Sequence, residues 1–148
     1  MKLHTFKQLD SMDCGATCLQ DISKYYGKYF SLQRLRDLCH ITKNGVSLLG
    51  ISDAAESIGF RTVGVKLTWK QLMDDARLPC IVHWNQSHFI VVNAIKQKRK
   101  GNFVIVSDPA GGVLKYKQED FLKSWLQIKC ENGEKRGVAL LLSPKPEF

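Results

Sequence analysis

Three residues far apart in the chain have the types needed for covalent acyl transfer: Cys14, His88 and Asp108. Cys14 follows Asp13, a residue type that starts helices, so its sulfur is expected in a first helical turn. Unpaired amide hydrogens and the positive end of the helix dipole at that place favour thiolate over thiol, and thiolate is the nucleophile. Asp13 works in the opposite electrostatic direction, so an imidazolium partner is needed. His88 follows the polar turn Asn85-Gln86-Ser87 and opens the run Phe89-Ile90-Val91-Val92, where a ring can face a cleft while its neighbours fill both faces of a sheet. Asp108 ends the run Phe103 to Ser107 and precedes Pro109, which stops a β ladder and holds the carboxylate at the sheet edge. If those two runs pair through the basic segment between them, His88 and Asp108 lie at the same end of adjacent strands. Nucleophile, base and orienting carboxylate would then converge.

Each residue also has a plainer reading. Cys14 alone could be a buried structural thiol, His88 a packed strand histidine, and Asp108-Pro109 a simple turn. His83 competes for the role of base, but within an apolar strand and beside Trp84 it is read as structural. Cys14 and Cys18 with His40 or His88 offer zinc donor types, yet the spacing matches no common site, so no metal is expected.

Four helices and then a set of strands are needed to carry these groups. Asp13 caps a helix from Cys14 toward Tyr25-Tyr26, ended by Gly27. Ser31 caps a second, Leu32 to His40, with Leu32, Leu35, Leu38 and Cys39 on one stripe. Ser47 caps a third, with Ile51, Ala54, Ala55 and Ile58 inward and Gly59 past its end. Thr68 and Gln71 fit a capping box opening a short helix, Trp69 to Ala76. After Leu78-Pro79 the pattern changes to short Val-, Ile- and Phe-rich runs, predicting strands at Cys80–Trp84, His88–Lys96, Phe103–Ser107, Val113–Tyr116 and Val138–Leu142. Residues 97–102 read as a hairpin tip, and Gln118 to Trp125 as a further helix. Helices followed by strands indicate an α+β domain with a largely antiparallel sheet. Residues 1–142 are expected to form that single domain, and 143–148, which lack a core pattern, a linker or tail.

With 148 residues, 44% hydrophobic and 24% charged, the chain has the length and composition of one globular domain. No apolar run approaches the ~18 residues of a spanning helix, and the N-terminus lacks the apolar segment of a signal peptide. Five scattered cysteines without any Cys-x-x-Cys argue against a disulfide framework. The chain therefore reads as soluble and unexported, its thiols reduced in a cytosolic compartment. Its 22 basic and 14 acidic residues give a net charge of +8, which favours acidic partners. No base-stacking or groove-reading motif accompanies that charge, so nucleic acid is not an expected partner.

A longer set of blocks carries a family resemblance. The run Gln8 to Leu19 (Gln-Leu-Asp-Ser-Met-Asp-Cys-Gly-Ala-Thr-Cys-Leu), Tyr25-Tyr26-Gly27, Gly45-Val46-Ser47-Leu48, Leu78 to Trp84, His88 to Val92, Asp108 to Gly112 and Phe121 to Trp125 resemble the bacteriocin-processing peptidase domain, peptidase family C39. The resemblance covers nearly the whole chain in the family's order. It departs at Leu126-Gln127, where many relatives have Thr-Gly. It implies a papain-like fold whose helical and sheet halves meet at a cleft. Cys14 would be the nucleophile, His88 the general base and acid, Asp108 the orienter of the imidazole, and Gln8 the side-chain donor of an oxyanion hole completed by the Cys14 amide. The implied substrate is a precursor peptide whose leader is cut after Gly-Gly, with the leader helix held in a groove; Tyr26, Tyr29, Phe30, Trp69 and Trp84 are candidate groove residues. The implied partners are the transmembrane and nucleotide-binding domains of an ABC exporter, on the cytoplasmic side of a bacterial membrane, and no cofactor is implied. Some such domains lack the nucleophile and only dock leader or cargo peptides, which is the alternative. No P-loop occurs, so ATP chemistry is not expected in this chain.

Overall fold

The computed structural model describes residues 13–40, 46–85 and 87–148. Five helices are α1 (Cys14–Tyr25), α2 (Leu32–Leu38), α3 (Leu48–Ser57), α4 (Trp69–Asp74) and α5 (Gln118–Trp125). Seven strands are β1 (Phe60–Leu67), β2 (Cys80–Trp84), β3 (His88–Lys98), β4 (Gly101–Asp108), β5 (Gly112–Lys117), β6 (Ile128–Lys129) and β7 (Lys135–Pro144). The sheet is antiparallel in the order β1-β7-β2-β3-β4-β5, with β6 on the outer end of β7.

Alternation along the strands builds two cores, one on each face of the sheet. Ile81, Phe89, Val91, Leu140 and Leu142 join the buried faces of α1, α2 and α3. Val82, Ile90, Val92, Val104, Val106 and Ala139 join Leu72, Trp84, Phe121 and Trp125 on the side of α4 and α5. A bulge between Val92 and Ala94 shifts the register of β3 against β4. It restores Ile95 to the α5 side after Val92, which unbroken alternation would not do. The extra residue, Asn93, donates its side-chain amide to Ser107 Oγ at 2.8 Å.

The helix ends follow the predicted chemistry with one exception. Ser31, Ser47 and Thr68 accept from the backbone amides of Arg34, Gly50 and Gln71, and Thr68 with Gln71 completes the capping box. Gly27, at φ +91°, ends α1 with Lys28 N–H donating to Ser23 O and Gly27 N–H to Lys24 O, the paired bonds of a left-handed cap. Asp13 is the exception, because its side chain makes no cap hydrogen bond and instead pairs with Arg36.

Three parts of the sequence reading are corrected. β1 and the two-residue β6 were not among the expected strands; only Phe60 of the eight residues of β1 is buried, so β1 carries no alternating signal, yet it pairs with β7 along its whole length. The strands of the central hairpin run inward to leave only Arg99 and Lys100 at the tip. The 143–148 tail is not a loose linker. Ser143 and Pro144 are the last rungs of β7 opposite Arg61 and Phe60, and the Phe148 ring lies 4.6 Å from that of Phe60. Lys145 N–H donates to Gly59 O and its ammonium pairs with Glu56 at 3.4 Å.

Candidate active site

Cys14 begins α1, one face of which is buried against β3, so its sulfur sits at the amide-rich end of that helix and beside the sheet. Gly15 makes the close packing possible: a methyl at its Cα would lie 2.7 Å from Ile51 Cγ1 and 2.9 Å from Val46 Cγ1. One turn on, Cys18 Sγ donates to Phe89 O at 3.4 Å, tying α1 to the residue after His88.

His88 starts β3 opposite Trp84, after a turn in which Ser87 N–H donates to Trp84 O and Asn85 takes φ +49°. Asp108 ends β4, where a tight turn to β5 presents the Ala110 amide to its carboxylate. The imidazole Nε2 lies 2.7 Å from Asp108 Oδ1, which also accepts the Ala110 N–H at 2.9 Å. With Nε2 committed to Asp108, the other ring nitrogen is left for the thiol, and Cys14 is near enough to help raise the imidazole's pKa. Thus side chains 14, 88 and 108 meet where α1 abuts the ends of β3 and β4.

Charge accounts for the protonation states. The hydrogen bond to Asp108 and then that to Cys14 push His88 from its ordinary 6.5 up to about 9, against the opposing effect of burial. Burial pushes Asp108 upward, but the bonds from His88 and the Ala110 amide, together with the imidazolium charge, outweigh it and hold the carboxyl below its ordinary value. Burial drives the neighbouring Cys18 thiol well up and takes Cys39 and Cys80 to about 12, so these three stay as inert thiols.

A cavity of about 320 Å³ has Ser87 and Phe89, the chain neighbours of His88, in its lining, together with Val46, Ser47, Leu48, His83 and Val138. His83 contributes its ring to this wall and packs 5.0 Å from the Phe89 ring, in keeping with a structural place. Among the described residues no group of three metal-ligating side chains is placed to hold an ion, and no helix is long and apolar enough to cross a membrane.

Gln8, the expected oxyanion donor, lies outside the described residues. The five candidate groove aromatics do not line one surface. Tyr26 packs on Phe60 and Phe148 and Phe30 on the helical core, whereas Trp69 and Trp84 stack on Phe121 on the opposite face of the sheet. Trp84, at 4% exposure, is a core residue because it shares the inward parity of Cys80 and Val82. Tyr29 alone of the five is exposed, at 62%. Two features escaped the sequence reading: the Arg36 partner of Asp13, which lies a helix away, and the cavity wall at Val46 to Leu48, which only the Gly45 to Leu48 block hinted at.

A helical half and an antiparallel sheet half meeting at a Cys, His and Asp cluster define a papain-like α+β fold of the cysteine-peptidase class. The chain belongs to the Peptidase C39 family, whose sequence model matches residues 2–133. It is 33% identical over 148 residues to the lactococcin-G-processing and transport ATP-binding protein LagD of Lactococcus lactis subsp. lactis, covering 95% of this chain and 19% of that protein. The colicin V secretion/processing ATP-binding protein CvaB of Escherichia coli is 31% identical over 141 residues, with 95% and 18% covered. The chain thus spans about a fifth of the length of the curated relatives it matches. In structure it resembles a double glycine motif protease from an AMS/PCAT transporter, solved in complex with the leader peptide, at TM-score 0.84 and 28% identity over 97% of this chain and 93% of that one. It also resembles the peptidase domain of Streptococcus ComA, described as a bi-functional ABC transporter involved in quorum sensing, at TM-score 0.79 and 29% identity over 97% and 100%.

Proposed function

We propose that this chain is the endopeptidase portion of a peptide exporter, cutting the leader from precursor peptides after a Gly-Gly pair. The reading is supported by the 2.7 Å contact of His88 Nε2 with Asp108 and by the influence of Cys14 on the same imidazole. The transmembrane and nucleotide-binding domains of an ABC exporter would be its partners, and the cytoplasmic face of the membrane its place of work.

In the proposed reaction the Cys14 thiolate attacks the carbonyl carbon of the second glycine. A C–S bond forms as the carbonyl electron pair moves onto oxygen, where the Cys14 amide and the Gln8 side-chain amide receive it. His88, as imidazolium, gives its proton to the departing nitrogen as the C–N bond breaks, leaving a thioester and neutral imidazole. His88 next takes a proton from water as the oxygen adds to the thioester. Collapse breaks the C–S bond and restores the thiolate and imidazolium, with the leader released as an acid. Asp108 keeps the ring in the tautomer and orientation that both steps need. Glycine on the acyl side would be selected by exclusion of side chains from a narrow cleft.

The test is incubation with a peptide carrying a helical leader, Gly-Gly and a short cargo. Leader release by the wild-type chain but not by Cys14→Ala supports proteolysis. Binding of the peptide without cleavage would replace it with the docking role known for domains lacking the nucleophile.

A further inference from the structure

We propose that Arg36 is a positioning residue for Cys14, acting through the buried carboxylate of Asp13; the inference rests on Cys14 being the nucleophile. Asp13 immediately precedes the sulfur-bearing residue and is 0% exposed. It occupies the cap position of α1 yet does not cap: its ψ of 4° is not the extended value of Ser31, Ser47 and Thr68, and its side chain receives no amide from the first turn. The carboxylate points instead to α2, where Arg36 Nε lies 2.8 Å from Oδ1.

Two consequences follow for the sulfur. A buried carboxylate one residue from Cys14 opposes a thiolate and offsets the positive end of α1, and the guanidinium removes that opposition. The pair also fixes the backbone on which Cys14 is mounted, because Asp13 O accepts the first helical bond from Thr17 N–H at 2.8 Å. Arg36 is itself held in place by its neighbours on α2, since Leu35 and Cys39 are buried in the helical core. The other titratable groups acting on the sulfur are His88 from β3, Cys39 just after α2 and Cys18 from α1, and Cys18 in turn feels Asp21 from α1 and Asp108 from β4. Arg36 is the cation that stands 2.8 Å from the Asp13 carboxylate.

The readout is the pH midpoint for alkylation of Cys14 by iodoacetamide, with the labelled residue located by peptide mass. Arg36 is 39% exposed at its side chain, so Arg36→Gln is expected to fold. It should raise the midpoint by about one pH unit. Arg36→Lys, which keeps the charge but not the planar fork, should raise it less. Asp13→Asn added to Arg36→Gln should return it toward the wild-type value, which loss of packing alone would not do. A folded Arg36→Gln chain with an unchanged midpoint overturns the proposal. Should Arg36→Gln fail to fold, Asp13→Asn with Arg36 intact decides: a lowered midpoint supports the proposal and an unchanged one overturns it. A wild-type Cys14 that resists alkylation at neutral pH would instead remove the nucleophile assignment, and this inference with it.

Discussion

Cys14, His88 and Asp108 were legible because each sits at a boundary that sequence marks well: a helix start, a strand start after a polar turn, and a strand end before proline. Trp84, named as a groove candidate with core packing as its plainer reading, is a core residue, because it shares the parity of Cys80 and Val82. The pairing of Asp13 with Arg36 was invisible, because it depends on how α2 crosses α1 rather than on any local spacing. At this scale the pH profile is the sharpest check. The proposed mechanism needs protonated His88, whose pKa is pushed up to about 9, so kcat/KM should fall as pH rises past that value. Asp108→Asn removes the first cause of the upward shift, so the alkaline limb should move down by about one to two pH units, measured with a fluorogenic Gly-Gly peptide. Gly15→Ala is expected to cost about 1–3 kcal/mol in a urea titration, because its methyl would meet Ile51 and Val46 within 2.9 Å.

Elements whose ends carry side-chain chemistry were read well, and those defined only by partners were not. Ser31, Ser47 and Thr68 cap their helices through their own hydroxyls, a local event that sequence encodes directly. β1 exists because β7 offers eight rungs to it, and with Val63 and Gly64 exposed in its middle it leaves no periodic trace. The 143–148 tail had the same disguise: two prolines and two charges conceal a phenylalanine that packs on Phe60 and Tyr26. Phe148→Ala should therefore destabilise the fold by about 1–2 kcal/mol, as a half-buried aromatic does, and lower Tm by a few degrees in a thermal scan.

For the whole molecule, the site doubles as a stabilising contact whose strength varies with pH. His88 binds its proton more tightly folded than unfolded, so its contribution is complete below about 6.5 and is lost as pH rises through about 9. Asp108 is shifted the other way, so its contribution is present above 3.8 and is lost as pH falls through its lowered folded value. The Tm gap between wild type and His88→Gln should then be widest between about pH 4 and 6.5 and should close toward pH 10. The α+β layering was readable from the switch between periods of 3.6 and 2, whereas the inward placing of Ile95 required the bulge at Asn93, which no local signal announces. The bond from Cys18 to the carbonyl of Phe89 gives that layering a metric role. It acts as a gauge block between a rigid rod and a rigid plate: the reach from sulfur to imidazole is calibrated by the girth of one small side chain a turn away. A bulkier residue at this fully buried position should strain the helical core and, on the proposed mechanism, draw Cys14 away from His88, so a side chain outside the triad would set the working distance.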